Sequence, residues 1–590
     1  MQVEAQIDQV TDPALTEKKT AGSGTTRVTA VKGLYLLVVA AAAIMRFSQL
    51  GSMPLSPAEA SEALAVWQFS QPGSLTISVG SPAYFTLTSL LVPVLGLSDT
   101  VVRLVPATFG LGLISLPWLL RRRLGIVGAL ISAAFLTVSP LNSAVSRTAG
   151  GDAIALFALL LVTASLARLG KQGNEKWFYV TTSALGLGLA SSPLFYGGLL
   201  TLVTALLVAR FATKETDRFA LPGRATIVNG IILGVLVLIG SSTRFLTYPA
   251  GLGASAQLIG EWLAQFGFSD SLQSTLAPIL VLARYEIALI VLGTAAVVWT
   301  IWRSSSLSTL LLLWLLAAAG LMILQSGAQS NVLLPTLPGY LLIGLFSARL
   351  LRERINGWTW IFTGGLLLIG AVLLVNITRY LRVSIYEQDF SNLWLSILAL
   401  AAAVLIIYYF WVMSDASIGQ GIWLAALLLL LAFEWGTAWH LTHTAANDPR
   451  ERWISEGTDN DVPLLLNTLQ DISRQAANSD NDLTVLSAVD TPVLRWYLRD
   501  FWQATIGETV PPNAQQQVII SRLGDADPQF GSDYVGSDFG LLQSGPITTQ
   551  ISERPLTDTL RWWFFHETTA ETIEDRVILW VRTDVVLPQQ

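Results

Sequence analysis

The chain has 590 residues, of which 52% are hydrophobic and 13% are charged, and its mean hydropathy is +0.55. A soluble domain averages about 25% charged residues, so this composition excludes a soluble globular protein. Its hydrophobicity excludes a disordered one. The chain has no cysteine, which excludes disulfides and thiolate metal sites. These limits predict a polytopic α-helical membrane protein with a polar part attached.

The sign of the charge changes near Leu441, where the hydrophobic runs end. Residues 1–441 carry 25 Lys and Arg against 19 Asp and Glu, whereas residues 442–590 carry 10 against 22. We therefore expect a disordered cytoplasmic tail over 1–26, a transmembrane domain over 27–441 and a soluble acidic domain over 442–590. The acidic domain argues against nucleic acid as a partner, because phosphate binding needs a basic surface.

Hydropathy and flanking charge predict about thirteen transmembrane helices. They are 30–46, 101–120, 124–141, 152–169, 176–192, 193–212, 225–243, 276–302, 307–325, 331–349, 357–377, 391–413 and 420–441. The apolar stretch Pro82–Leu97 has 16 residues and two prolines, which is short for a span of about 20 residues. Without it, 18 basic residues lie on the side of the N-terminus and seven on the other side. The positive-inside rule then predicts an integral plasma-membrane protein with a cytoplasmic N-terminus and an extracytoplasmic C-terminal domain.

The longer loops all lie on the predicted outer side. They are the first loop, 47–100, then Asn142–Gly151 and Arg244–Thr275. Two segments in them, Ser56–Phe69 and Gln257–Phe266, have the apolar spacing of amphipathic helices. Surface-lying helices beside a bundle suit an active site at the membrane interface.

The acidic C-terminal domain has an α/β pattern. The predicted helix is Pro463–Ala477, and the predicted strands are Leu483–Val489, Gln517–Ser521 and Arg576–Arg582. The apolar run Arg561–Phe565 is expected to pack on the membrane domain.

The first loop contains two carboxylates, Glu59 and Glu62, three residues apart on a predicted helix. Either could act as a general base. Ser56 and Glu59 with an intervening Pro57 also form the pattern of a capping box, and this favours a capping role for Glu59.

A second candidate is the run Ser146–Asp152, SRTAGGD, between two spans. Arg147 beside a Gly pair, with Asp152 at a helix start, could bind a phosphate and orient a polar group. The same residues also fit an ordinary turn with a first-turn acid, and the spacing alone favours that alternative.

Charged and histidine residues near or within the spans complete the candidates. Glu286, next to Tyr285, and Glu434 lie in apolar spans, where a carboxylate needs a partner. The pair His440 and His443 ends the last predicted span. At this position we expect histidines at the membrane interface and not a pair of metal ligands. No metal ligand set is predicted.

Six stretches, in this order, resemble the GT-C class of membrane glycosyltransferases. The clearest are RFSQLGSMPLSPAEASEA (46–63), GSPAYFTLTSLLVPVLGLSDTVVRLVPATFG (80–110) and SPLNSAVSRTAGGDAIALF (139–157). The class includes protein O-mannosyltransferases, the aminoarabinose transferase acting on lipid A and oligosaccharyltransferase. A prokaryotic subgroup, the flippase-activity-associated membrane proteins, is the most similar in pattern.

The resemblance implies transfer of a sugar from a polyprenyl-phosphate carrier to a glycan or protein acceptor on the outer face. It implies Glu59 as the catalytic base with Glu62 in reserve and Asp152 as a third catalytic candidate, with substrate bound by a set of four residues. These are Arg147, Arg244, Tyr285 and Glu286. No cofactor is certain, and a divalent cation at Asp152 stays open.

The pattern departs from the class at two positions. The class has an Asp where this chain has Ala58, and Ser81 replaces the histidine of one variant. Three hypotheses follow. In the first, the chain is an active transferase and Glu59, Glu62 or Asp152 carries the chemistry. In the second, it is a catalytically degenerate carrier-binding or structural subunit of an envelope complex, and in the third it is a lipid transporter. The one-sided loops and the lack of internal repeats count against the transporter.

Overall fold

The computed structural model describes twelve stretches of the chain. They are residues 22–72, 77–169, 174–212, 222–267, 272–352, 355–384, 391–412, 416–451, 453–524, 529–545, 555–566 and 572–586. Most of the predicted tail, 1–26, lies outside them, and the first helix starts at Gly22.

Helices make up the part of the chain before residue 445. They are α1 Gly22–Phe47, α2 Pro57–Ser70, α3 Pro82–Leu95, α4 Asp99–Ser115, α5 Arg121–Leu124, α6 Ile126–Val138, α7 Pro140–Val145, α8 Asp152–Leu169, α9 Glu175–Leu189, α10 Pro193–Ala212, α11 Arg224–Ser242, α12 Gly251–Ala264, α13 Leu272–Tyr285, α14 Ile287–Trp302, α15 Ser306–Leu324, α16 Thr336–Leu350, α17 Gly357–Arg379, α18 Ser391–Val412 and α19 Ala416–Trp439. Short 3₁₀ turns, Leu116–Leu120 and Gln329–Leu333, and π turns, Tyr380–Ser384 and His440–Thr444, extend some of them.

Within the described residues, nine helical segments are long and apolar enough to cross a membrane, and the bent pair α13–α14 makes a tenth. The other three predicted spans are α6, α9 and α18. Helices α6 and α9 have 13 and 15 residues, and the apolar part of α18 is Trp394–Tyr408. Large apolar side chains on the long helices are exposed, as contact with lipid requires; Leu36, Leu368 and Leu398 are each more than 60% accessible. The chain is a polytopic α-helical membrane protein, as predicted.

The connections 48–98 and 139–151 and the residues after 440 meet at one end of the bundle, which we call the loop face. Ser48 there bonds His443 (2.8 Å), and Trp496 and Tyr497 both bond the Asp99 carboxylate (2.8 Å each). The stretch Pro82–Leu95 is a short apolar helix of 14 residues at this face.

In the described residues after 445, the chain forms a six-stranded mixed sheet with helices. Its strands are β1 Glu456–Thr458, β2 Val485–Ser487, β3 Ala504–Ile506, β4 Val518–Arg522, β5 Tyr534–Ser544 and β6 Ile573–Arg582, in the order β1-β5-β6-β4-β2-β3. Strand β2 pairs in parallel with β3 and β4, and the other pairs are antiparallel. The helices are α20 Asp461–Ala477, α21 Pro492–Tyr497, α22 Pro555–Phe565 and α23 Thr583–Val586. The predicted helix and three predicted strands are all present.

Residues 50–55 connect the two parts of the molecule. Three of their carbonyl oxygens, those of Leu50, Met53 and Pro54, accept hydrogen bonds from the Arg103 guanidinium. From the other side, Tyr497 accepts the Leu55 N–H at 2.9 Å. The Leu55 carbonyl accepts from Thr458 at 2.6 Å, and the Pro54 carbonyl accepts from Asn447 at 2.8 Å. The segment entering α2 is thus fixed from the membrane part and from the sheet.

Candidate functional site

The N-terminal ends of α3, α8 and α10 meet at the loop face. The Ser81 hydroxyl, just before α3, donates to the Ser191 carbonyl at 2.6 Å, and the Ala83 N–H donates to the Ala190 carbonyl at 2.8 Å. A Cβ on Gly151 would lie 2.0 Å from the Ser191 oxygen and 2.2 Å from the Ser81 hydroxyl. Glycine at this position therefore permits the close approach of the three helix starts.

Glu62 on α2 points into this junction. A Cβ on Gly80 would lie 2.4 Å from Glu62 Oε1, so the carboxylate lies directly against the segment that enters α3. Its Oε2 is buried and, within the described part of the chain, has no hydrogen-bond partner. Burial raises the pKa of Glu62 to about 7; a backbone hydrogen bond from Ser81 opposes the rise, and the nearby carboxylates of Asp152 and Glu261 add to it. A carboxyl with a free oxygen and a pKa near neutrality is suited to proton transfer.

Asp152 is the first residue of α8 and shares the junction with Glu62. Its carboxylate lies next to Ser192, just before α10. The partial positive charge at a helix N-terminus favours a carboxylate there. The structure thus brings together two of the three predicted catalytic residues.

Glu59, the third, lies in a different environment. It forms a bidentate ion pair with Arg103, at 2.7 and 2.8 Å, and accepts hydrogen bonds from the backbone of Ser56 and Ala149 at 3.0 and 2.9 Å. Burial alone would raise the pKa of Glu59, but the Arg103 charge and these hydrogen bonds hold it below its usual value. The capping box with Ser56 is present. Glu59 therefore holds α2 in place and is a weak base.

Arg147 closes the C-terminal end of α1. Its guanidinium donates to the carbonyls of Met45, Arg46, Ser48 and Gln49 at 2.7–3.2 Å. Burial lowers the pKa of Arg147 to about 10, with the Arg103 charge adding to the effect. Because its donors bind the protein itself, the geometry does not present Arg147 to a phosphate.

Arg244 lies on the rim of the loop face, just after α11. It donates to the Ser89 hydroxyl at 2.8 Å and lies 4.7 Å above the ring of Phe69. The next two side chains, Phe245 and Leu246, are exposed by 66% and 71%. A cation beside exposed apolar side chains suits the phosphate of a membrane lipid.

Two functional candidates on α12 were missed in the sequence. Glu261 is close enough to Glu62 to raise its pKa. Trp262, the next residue, packs against Tyr196 with ring centroids 6.2 Å apart. Glu261 is the one acidic residue of the otherwise uncharged helix α12. A single carboxylate on an amphipathic helix in an outer loop could have marked it as a candidate in the sequence.

Tyr285 and Glu286 lie at a 97° bend between α13 and α14, and both are fully buried. Glu286 accepts hydrogen bonds from the hydroxyls of Ser139 (2.6 Å) and Tyr340, and Tyr340 also bonds Glu434 (3.3 Å). Hydroxyl and backbone donors satisfy these carboxylates, so their geometry fits a structural role between helices. The contact expected for Arg561–Phe565 is observed, since Trp562 packs against Tyr285.

The histidines divide between two settings. His443 bonds Ser48 and Thr442, at 2.8 and 2.9 Å, and does not pair with His440. His440 instead joins Glu451 and His566, and their ligand atoms lie within 4.8 Å of one another. Within the described residues this is the one group of three His, Asp or Glu side chains compact enough to hold a metal. Hydrogen bonds from His440, His566 and Tyr285 hold the pKa of Glu451 at about 2 against the effect of burial.

The chain is similar to a known protein family. The family model for dolichyl-phosphate-mannose-protein mannosyltransferases matches residues 79–244. This region begins just before α3 and ends at Arg244, so it contains Asp152 and the three helix starts of the junction. No curated protein sequence matches the chain.

Comparison with solved structures finds one with a similar fold and two with weaker similarity. ArnT from Cupriavidus metallidurans bound to undecaprenyl phosphate matches with a TM-score of 0.51 and 14% identity, over 96% of this chain and 100% of that one. The apo state of ArnT has a TM-score of 0.48 and 14% identity, over 80% and 85% of the two chains. The Archaeoglobus fulgidus oligosaccharyltransferase in complex with Zn and sulfate has a TM-score of 0.38 and 11% identity, over 80% and 62%.

Proposed function

We propose that this chain, which has the GT-C glycosyltransferase fold, transfers a sugar from a polyprenyl-phosphate carrier to a glycan or protein acceptor. The reaction would take place at the loop face, on the outer side of the membrane. The Arg triplet of α5, Arg121, Arg122 and Arg123, lies at the other end of the bundle, and the positive-inside rule assigns that end to the cytoplasm. Residues 442–590 would then be an extracytoplasmic domain.

The environment of Glu62 is the observation on which this proposal depends. Its carboxylate is buried, has one oxygen without a partner among the described residues, and has a pKa of about 7. Asp152 is close enough for its charge to act on Glu62, and so is Glu261, which Trp262 directly follows on α12. A base, a second carboxylate that can orient a hydroxyl, and an aromatic wall are a suitable set for transfer of a sugar.

In the proposed step, Glu62 accepts the proton of the acceptor hydroxyl. The acceptor oxygen forms a bond to the anomeric carbon from the side opposite the carrier. The bond between that carbon and the phosphate oxygen breaks, its electron pair goes to the phosphate, and the polyprenyl phosphate leaves. The anomeric configuration is inverted, and Asp152 orients the acceptor or the sugar.

The leaving phosphate gains negative charge, and we assign its stabilisation to Arg244. Phe69, under Arg244, lies seven residues after Glu62 on α2, or about 10 Å along the helix axis. This separation leaves room for a sugar between the base and the phosphate. The exposed Phe245 and Leu246 would face the lipid chain. Arg244 thus takes the phosphate-binding role first expected for Arg147.

The comparisons support the class of substrate. The matching family is described by a lipid-phosphate sugar donor, and the ArnT structure contains undecaprenyl phosphate.

The experiment is turnover of polyprenyl phosphates that carry neutral or amino sugars, in proteoliposomes, by wild type and Glu62→Gln. We expect Glu62→Gln to lower turnover by a factor of about 10²–10⁴, the usual contribution of a general base, with unchanged folding. The control, Glu508→Gln, alters an exposed carboxylate of the C-terminal part and should match wild type. Wild-type turnover in Glu62→Gln would refute the assignment of the base.

Ala58 favours a second candidate, a catalytically degenerate carrier-binding subunit. It occupies the position of the class's Asp and is exposed on the first turn of α2, four residues before Glu62 and on the same helix face. If turnover appears only in Ala58→Asp, the natural chain is the degenerate form. If wild type is active, Glu62 acts as the base in place of the class's Asp, one helical turn after position 58 on the same face of α2.

The lipid site has its own test, native mass spectrometry of protein purified in mild detergent. We expect co-purified polyprenyl phosphate in wild type and in Arg244→Lys, and its loss in Arg244→Ala. Arg210→Ala, at an exposed position near the far end of α10, should retain the lipid. Retention by Arg244→Ala would exclude Arg244 as the phosphate ligand.

A further inference from the structure

Two of the three histidines of the chain meet a buried glutamate outside the Glu62 junction. Glu451, which is 2% exposed, follows the last span, His440 begins the π turn after α19, and His566 follows α22. The proposed glycosyl transfer uses none of these side chains.

Their atoms have the spacing of metal ligands. Glu451 Oε1 lies 3.5 Å from His440 Nε2 and 3.1 Å from His566 Nδ1. Tetrahedral zinc has bonds of about 2.0–2.1 Å to histidine nitrogen and carboxylate oxygen, which places neighbouring ligand atoms about 3.3 Å apart. Small side-chain movements would therefore bring all three atoms into coordination.

The surroundings of the triad hold its members in place. Tyr285 donates to the second oxygen of Glu451 at 2.6 Å, an orienting contact typical of a metal-bound carboxylate. The rings of His440 and His566 stack with centroids 4.0 Å apart, and this directs both nitrogens to the same carboxylate.

The backbone at both histidines is irregular. His440 opens a π turn, a conformation that recurs at functional sites. His566 has a φ of +54°, in the left-handed region that few non-glycine residues adopt, and its N–H closes on the Trp562 carbonyl at 2.8 Å. Helix α22 thus ends with His566 held against Glu451.

We propose that His440, Glu451 and His566 form a binding site for a divalent transition metal, of which zinc suits the ligands best. Two imidazoles and one carboxylate match the ligand preference of zinc, and a water molecule would complete the tetrahedron. The metal would link the end of the last span, the segment after it and α22. With three protein ligands and a water, the metal would fasten α22 to the membrane part and keep one exchangeable position.

Metal content of the full-length protein tests the site. The protein is purified in detergent with an affinity tag other than polyhistidine. It is then incubated with a slight excess of zinc, desalted and analysed by inductively coupled plasma mass spectrometry. We expect about one zinc per chain in wild type and in the control His443→Gln, and nearly none in His440→Gln or His566→Gln. Zinc should also raise the melting temperature of wild type and of His443→Gln, and leave that of His440→Gln and His566→Gln unchanged.

A second measurement covers variants that fail to fold. X-ray absorption at the zinc edge of the wild-type protein should show a four-coordinate nitrogen and oxygen shell with two imidazoles. Wild-type protein that keeps no zinc, or zinc that the two ligand variants retain, would overturn the proposal and leave the triad as a hydrogen-bonded contact.

Discussion

Glu59 and Glu62 lie one helical turn apart and have opposite environments. Arg103 and the backbone N–H groups of Ser56 and Ala149 saturate Glu59, whereas Glu62 keeps an oxygen without a partner in the described structure. The sequence identified both residues and the capping box, because a capping pattern is local. It put Glu59 before Glu62 as the base, because the contact of Glu62 with the segment at Gly80 and the charge of Asp152 beside the junction are not part of a local pattern.

The pKa of Glu62 predicts the pH dependence of turnover. Because the base acts in its deprotonated form, kcat/KM should rise with pH and level off above about 7. The measurement is turnover against pH in proteoliposomes, with Glu508→Gln as control. An inflection near pH 7 that persists in Glu62→Gln would assign the titration to another group.

The same pKa predicts a stability change of known sign. In the folded state the pKa of Glu62 is about 7, above the usual value of 4.5. The protonated carboxyl therefore stabilises the folded state at low pH, and this contribution to the free energy of unfolding is lost as the pH rises from about 4.5 to 7. Glu62→Gln should therefore raise the melting temperature at pH 8 and leave it nearly unchanged at pH 4. Equal shifts at both pH values would contradict the raised pKa.

Gly80 sets the position of the Glu62 carboxylate. A methyl group at Gly80 would lie 2.4 Å from Glu62 Oε1, so Gly80→Ala should displace the carboxylate and lower kcat about tenfold or more, as small misplacements of catalytic groups do. The control is Gly260→Ala on α12, where a Cβ meets nothing within 4 Å. Equal kcat in the two variants would exclude this role of Gly80.

At the scale of elements, composition and period were sufficient to predict the helices but not their connections. The predicted span over 276–302 is a pair of helices with a 97° bend at Glu286. At the bend, Glu286 accepts hydrogen bonds from Ser139, which precedes α7, and from Tyr340 on α16, and hydropathy does not report such partners. The meeting of the starts of α3, α8 and α10 was likewise not predictable, since it depends on the close approach at Gly151.

The start of α2 depends on the ion pair of Glu59 and Arg103. Breaking a buried pair leaves an uncompensated charge and costs about 3–5 kcal/mol, so Glu59→Gln should lower the melting temperature by several degrees. The matched change is Glu508→Gln at an exposed position, which should leave it unchanged. The measurement is thermal unfolding in detergent, and a Glu59→Gln variant as stable as wild type would show that the pair is dispensable.

At the scale of the whole molecule, the sequence predicted an α-helical membrane part and an α/β acidic part, and both are present. It did not predict how closely they join. Contacts such as Tyr497 to Asp99 involve residues about 400 positions apart, and only the folded chain brings them together.

The contact at Tyr497 predicts coupling between the sheet and the first loop. Tyr497→Phe removes the acceptor of the Leu55 N–H and the donor to Asp99, at a cost of about 1–3 kcal/mol for an unsatisfied buried group. We expect a lower melting temperature and lower turnover. Tyr534→Phe, whose hydroxyl bonds Gln516 within the C-terminal part, should keep normal turnover, and equal turnover in both variants would show that the sheet does not influence the loop.

Residues 50–55 receive hydrogen bonds from both parts of the molecule, and this limits how the chain can be recombined. A chimaera that takes its C-terminal domain from a relative would also need that relative's 50–55 segment, together with the residue at Arg103. Among homologues, substitutions in segment 50–55, at position 103 and in the contacting residues of the C-terminal domain should therefore occur together. The first loop and the C-terminal domain then form a single unit of exchange, although about 340 residues separate them in sequence.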